Sequence, residues 1–210
     1  MTRLAQTERA ALCDTAVEVG AGQPTLSGAW TVKDLVVHLL VREGSPAAVG
    51  IVVAPLSGLT AAVSRRLARR DFPALVERLR AGPPRFSPFA VPRLDELGNS
   101  LEFFVHHEDI RRAQPTWSPR LLGDETDRRL WALLPAVGRR LTRKAPVGVI
   151  AQHSGTGATA VLKEGTPMVT LRGLPGEIVL YVFGRSPQAR VELLGEEAAV
   201  SGLRATSLGA

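Results

Sequence analysis

The only imidazoles in this 210-residue sequence are His38, His106, His107 and His153. Glu102 precedes His106 by four positions, so on a helix the two stack on one face with Cβ atoms about 5–6 Å apart. At that spacing a carboxylate oxygen and an imidazole nitrogen reach one divalent cation. His38 interrupts the apolar run Val36, Val37, Leu39, Leu40. Supplied by a neighbouring helix, it would complete a facial set of three ligands and leave positions open for water or substrate. Spacing alone leaves the plainer readings standing: an ordinary helix-face pair for Glu102 and His106, and a satisfied core histidine for His38. Asp34 also lies four before a histidine, but Thr31-Val-Lys-Asp34 has the form of a capping box, which favours a cap over a ligand.

Positioning these residues requires helices. Apolar residues recur at helical spacing from Thr2 to about Val19, and Gly20 to Pro24 ends that element. A second helix starts at Thr31, with Trp30 placed to staple onto its first turns, and weakens at Gly44-Ser-Pro46. Residues 56–80 read as a third helical stretch with a break at Pro73. Gly82 to Pro88 is a loop. The helix carrying Glu102 and His106 runs from about Arg93 to Ala113, and a fifth follows from Asp124, its expected cap, to Arg143. At Pro146 the pattern changes. Val147–Gln152, Ala158–Lys163, Met168–Arg172 and Arg190–Leu194 read as short strands, Pro175–Phe183 as a buried helix and 196–204 as a final one. The expected fold class is therefore α + α/β: a helical bundle over residues 1–145, then a small α/β domain over 146–210.

Composition narrows the function classes. Hydrophobic residues make up 45% and charged residues 22%, enough to bury a core. Mean hydropathy is +0.07, and no segment reaches the roughly 18 uninterrupted apolar residues of a membrane span. The first 20 residues lack a signal-peptide core, so a cytoplasmic location without membrane attachment is expected. The single cysteine, Cys13, excludes an internal disulfide and a Cys-based zinc knuckle and reads as packing. The net charge of +6 lies wholly in residues 1–145, with 21 basic and 15 acidic side chains, much of it in arginine doublets scattered over several helices. No stacking aromatics are interleaved with them, which argues for a solvated surface rather than nucleic-acid binding. Ser154-Gly-Thr-Gly157 is not G-x-S-x-G, and neither GxGxxG nor GxxxxGK[ST] occurs. A serine-hydrolase elbow, a dinucleotide fold and a P-loop all lack their residues.

The wording around the histidines carries a family resemblance. Trp30-Thr-Val-Lys-Asp-Leu-Val-Val-His38-Leu resembles the W-T-x-x-D-x-x-x-H-L helix start of the DinB-like superfamily. Glu102-Phe-Phe-Val-His-His-Glu-Asp-Ile-Arg-Arg112 resembles the E-x-x-x-H-x-x-D-[IV]-R helix of its mycothiol-dependent maleylpyruvate isomerase branch. The helix-to-strand switch near Pro146 and Ile178-Val-Leu-Tyr-Val-Phe-Gly-Arg185 look like the layout of that branch, a DinB-like four-helix bundle followed by a sterol-carrier-like α/β domain. The resemblance implies a divalent metal, most often Zn2+, held by His38, Glu102 and His106. It further implies mycothiol as a cosubstrate whose thiol the metal activates, an electrophilic small-molecule substrate, and a monomer or homodimer. Arg185 matches the arginine that the branch uses catalytically in its second domain, where a guanidinium could grip a substrate carboxylate; a cap on its helix is the bland alternative. His107 is either pocket-lining or solvent-facing, Asp109 and Arg112 are spaced to pair, and His153 sits in a turn without a motif. Rival expectations are a non-catalytic metal-binding or stress-response module, and a small-molecule carrier acting through the C-terminal domain. Nothing in the sequence names the acid or electrophile.

Overall fold

The computed structural model describes residues 3–44 and 57–209; the expectations for 45–56, including the end of the apolar run and the start of the third helix, lie outside the described residues. The chain separates into two compact units, residues 1–118 and 119–210.

The first unit is helical: α1 (Leu4–Val19), α2 (Val32–Gly44), α3 (Ser57–Ala68), α4 (Phe72–Arg80) and α5 (Pro92–Arg112). The helical stretch breaks at Arg69–Asp71, just before the expected position, and Pro73 sits in the first turn of α4, where its missing N–H loses no bond. Leu12, Cys13 and Ala16 of α1, Leu35, Val36 and Leu39 of α2, Leu75, Val76 and Leu79 of α4, and Phe103 and Ile110 of α5 form one buried core, with Val63 and Leu67 of α3 packed on its edge. The capping box forms. Asp34 accepts from Thr31 N–H at 3.0 Å and its own N–H donates to Thr31 Oγ1 at 3.2 Å, which fixes the start of α2 at Val32, six residues before His38.

α5 is unusual because every residue from Phe103 to Ile110 is buried, charged ones included. One of its stripes, Asp95, Asn99, Glu102, His106 and Asp109, repeats at spacings of 4, 3, 4 and 3. Those are the positions at which a bundle helix ordinarily places apolar side chains. A polar seam at core positions must be paired to persist.

The second unit contains α6 (Asp124–Leu141), β1 (Gly148–His153), β2 (Thr159–Lys163), β3 (Met168–Gly173), α7 (Pro175–Val182), β4 (Glu192–Leu194) and α8 (Glu197–Arg204). The sheet order is β2-β1-β3-β4, with β1 and β3 parallel and the outer pairs antiparallel. The division falls at Ser118–Pro119 rather than near residue 145, because α6 belongs to the sheet. Its apolar stripe Leu130, Leu134, Gly138, Leu141 is buried, and Thr142 Oγ1 at its end donates to Leu162 O of β2 at 3.4 Å. Composition marks where strands begin, whereas packing marks where a unit begins. Asp124 is the first helical residue and makes no capping bond; Gly123 stands at the cap.

Gly148 opens β1 where no side chain fits. A Cβ there would stand 2.1 Å from Met168 Sδ and 2.5 Å from the Gly165 carbonyl oxygen, a backbone atom that cannot rotate away. Gly148→Ala is expected to destabilise the protein by about 2–3 kcal/mol in denaturant unfolding; a loss below about 0.5 kcal/mol would show that β1 and the 165–168 turn separate easily.

Candidate metal centre

Three side chains meet between α2 and α5. His38 Nε2 lies 3.6 Å from Glu102 Oε1, and His106 Nε2 lies 3.3 Å from the same oxygen. One ligand atom from each residue falls within 4.8 Å of the other two. The imidazoles are edge to face, with centroids 5.5 Å apart. These separations suit a shared cation: donors placed about 2.1 Å from a tetrahedral ion stand about 3.4 Å from one another. Two imidazole nitrogens and one carboxylate are also the ligand chemistry of zinc sites that keep an open position. Side-chain exposures of 17%, 23% and 11% for His38, Glu102 and His106 leave the cluster accessible from one side.

The surroundings orient both histidines. His106 Nδ1 is 2.9 Å from Asp109 Oδ2, which also accepts from Ser27 Oγ at 2.8 Å. Ser27 is carried by the loop between α1 and α2, which is tied down where Leu26 N–H donates to Asp109 O and Thr25 N–H donates to Trp30 O, both at 3.1 Å. Gly28, at φ +65°, supplies the left-handed turn of that loop. Trp30 does not simply staple the first turns of α2; its ring lies 4.9 Å from the His38 ring. One short loop therefore touches both histidines, through a carboxylate on one side and an indole on the other.

The centre is charged before any ion enters. Burial pushes the Glu102 carboxyl up, but hydrogen bonds from His106 and His38 and the charges of His106 and Arg42 outweigh it and hold the group well below the usual carboxylate range. Burial pushes His106 down, yet its bonds to Asp109 and Glu102 outweigh that and raise it to about 9. Without metal at neutral pH, His106 is an imidazolium between two carboxylates. A cation bound at Nε2 would have to displace its proton while Nδ1–H stays hydrogen-bonded to Asp109, so uptake would strengthen as pH rises toward about 9. Asp109→Asn replaces the acceptor of that Nδ1–H with a weaker one and is expected to lower zinc affinity about 10–100-fold in a competition titration; unchanged affinity would mean that packing alone orients the ring.

The other candidates are resolved individually. His107, next to the candidate ligand His106, points to the other side of α5, where Nδ1 is 3.0 Å from Glu8 Oε2 and Nε2 is 2.9 Å from Thr15 Oγ1. It is 3% exposed and ties α1 to α5. Arg112 Nε donates to Glu108 at 2.5 Å while its guanidinium lies 4.8 Å from the Trp117 ring. Cys13 is buried in the core, and burial pushes its thiol up to about 11, the state of an unreactive packing residue. In the second unit, His153 Nδ1 accepts from Gly155 N–H and its ring lies 5.5 Å from Trp131. Arg185 Nη1 donates to Phe183 O at 2.6 Å, at the C-terminal end of α7.

Sequence reasoning missed the groups behind the centre. Arg42 of α2 places Nε 3.3 Å from Glu102 Oε1. Beyond it, Asn99 Nδ2 donates to Glu43 Oε1 at 2.7 Å and to Asp95 Oδ1 at 2.8 Å, and Arg9 Nη2 reaches the same two oxygens at 2.5 and 2.9 Å. The signal was available as the 4-3-4-3 run of polar residues along α5 and a charged pair, Arg42-Glu43, at the end of an apolar helix.

No protein-family model matches the chain, and no curated protein matches it. Among solved structures, the chain is similar to a histidine-to-alanine mutant of the mycothiol-dependent maleylpyruvate isomerase, with a TM-score of 0.61 at 15% identity over 92% of this chain and 91% of that one. It is similar to another structure of that isomerase with a TM-score of 0.54 at 17% identity over the same shares. At these identities the likeness is one of fold. Among the described residues no helix is long and apolar enough to cross a membrane.

Proposed function

We propose that this chain is a divalent-metal-dependent enzyme of the thiol-using isomerase or transferase type, similar in reaction class to the mycothiol-dependent maleylpyruvate isomerase. The observation that carries the reading is the convergence of His38 Nε2, Glu102 Oε1 and His106 Nε2 on one small volume. The fold likeness supports it over nearly the whole chain. In this reading residues 1–118 form a DinB-like bundle, the second unit is sterol-carrier-like, the ion is Zn2+, the cosubstrate is mycothiol, and the protein works in the cytoplasm.

The chain's own groups would act as follows. Glu102 and the two imidazoles hold the ion by three points. Bound there, a divalent cation lowers the pKa of a coordinated small-molecule thiol, making thiolate available at neutral pH. Asp109, braced by Ser27, keeps the Nδ1 proton on His106 so that Nε2 faces the centre. Trp30, 39% exposed, shields one flank of His38. Arg185 is assigned the capture of a substrate carboxylate. No residue of the chain itself need supply the nucleophile, since Cys13 is buried.

The test has two stages. Elemental analysis of gently purified protein should find about one divalent ion per chain, and thiol consumption with candidate electrophiles should depend on that ion. Stoichiometric metal without any metal-dependent rate would replace the enzyme with a non-catalytic metal-binding module. Absence of metal binding would remove both.

A further inference from the structure

The centre already contains a cation of the protein's own. Arg42 Nε stands 3.3 Å from Glu102 Oε1, the oxygen that faces both imidazoles. Arg42 is one helical turn beyond His38 on α2, and Glu102 is one turn beyond Gly98 and Asn99 on α5, so both helices lead their charged groups to one point. The guanidinium is anchored independently of Glu102. Its Nη2 donates to the Gly98 carbonyl at 2.9 Å, its Nη1 donates to Asn99 Oδ1, and its plane lies 5.2 Å from the centroid of the half-buried Phe89 ring. Gly98 is small because Phe89 requires it: a Cβ there would stand 2.7 Å from the ring. Asn99 is held in turn by Glu43 and Asp95.

We infer that Arg42 is a positioning residue that competes with the metal for Glu102 and keeps the ion exchangeable. The inference rests on the metal-centre reading above and adds to it the control of occupancy. Without the ion, the guanidinium neutralises Glu102 and lets a carboxylate persist beside α2. When an ion takes that oxygen, the anchors on Gly98 and Asn99 prevent Arg42 from withdrawing, so its charge remains beside the divalent cation and opposes it. A guanidinium stays charged at every working pH, so the opposition is constant. A residue present only to hold the helices together would act in the opposite sense, since loosening Glu102 could only weaken binding.

The experiment uses the full chain, stripped with a chelator and titrated with Zn2+ against a chromophoric competitor and with Co2+ by visible absorption. Arg42→Gln is expected to bind both ions at least about tenfold more tightly than the unaltered protein, the effect of a nearby charge even through a water-like dielectric. Arg42→Lys, which keeps the charge without the fork, should stay close to the unaltered protein. Equal or weaker binding by Arg42→Gln overturns the inference while leaving the metal centre intact. Failure of the unaltered protein and of both variants to bind either ion removes the metal reading and this inference with it. If Arg42→Gln does not fold, the Arg42 Nε–H resonance of the unaltered protein decides: it must shift on saturation with zinc, and an unmoved resonance overturns the competition.

Discussion

His106→Ala should lose the ion and keep the fold, whereas His107→Ala should keep the ion and lose stability. The two histidines are consecutive, yet α5 turns them about 100° apart. His106 gives Nε2 to the centre, so its removal leaves two protein ligands where a zinc site needs at least three. Affinity should fall more than a hundred-fold, about 3 kcal/mol or more. The Asp109 oxygen it abandons is still served by Ser27, so the loss of folding free energy should be about 1–2 kcal/mol. His107 instead joins Glu8 and Thr15 of α1 and contributes nothing to the centre. Metal titration and denaturant unfolding of the two variants, side by side, check this crossed pattern. Retained stoichiometric metal in His106→Ala would end the assignment of the centre.

The largest effect on stability is expected from Arg9→Met. Arg9 is 5% exposed and is shared by Glu43 and Asp95, with its guanidinium 4.7 Å from the Phe103 ring centroid. Methionine would fill much of the volume but would leave two buried carboxylates facing each other across Asn99. Removing one partner of a buried ion pair typically costs about 3–5 kcal/mol, because the remaining charge is stranded. Burial already pushes the Glu43 carboxyl up, opposed chiefly by Arg9; without Arg9 it rises further. The loss should therefore be greatest above neutral pH and shrink toward pH 5, as Glu43 takes up a proton and its repulsion of Asp95 ends. Glu43→Gln in the same chain should recover part of it. Urea unfolding at pH 5 and pH 8 provides the measurement, and a loss below about 1 kcal/mol at pH 8 would mean that water reaches these carboxylates. Arg9 Nε, buried without a hydrogen-bond partner among the described residues, shows that the network is already short of one acceptor.

Much of the site was legible in the sequence because its elements are local. A four-residue interval on a helix fixes Glu102 beside His106 whatever the tertiary structure, and the Thr31–Asp34 box fixes the phase of His38. The pairing of α2 with α5 was not a local fact; it was expected from His38 interrupting an apolar face and from the family wording, and the structure brings His38, Glu102 and His106 together. What escaped reading was decided by packing. Whether α6 joins the helices before it or the strands after it depends on which face covers Leu130, Leu134 and Leu141, and an amphipathic pattern is identical in both cases. Arg9, Arg42 and Glu43 look like surface charges one at a time; the polar seam draws Arg9 and Glu43 into the interior and holds Arg42 at its edge. The direction of His107 was equally hidden, since a step of one residue on a helix buried all round leads from one polar partner to another.

That complete enclosure of α5 between Phe103 and Ile110 has a kinetic side. Amide protons exchange with solvent only when the surrounding elements part, and those of a rod sheltered on every flank wait for the opening of its entire unit. Two of the three candidate ligands, Glu102 and His106, lie at the edge of or within this sheltered span. An ion held there would come and go by rotation of side chains at the accessible rim while the backbone beneath them holds its deuterium-free state, so that loss of metal and loss of the helix would be separate events on separate clocks.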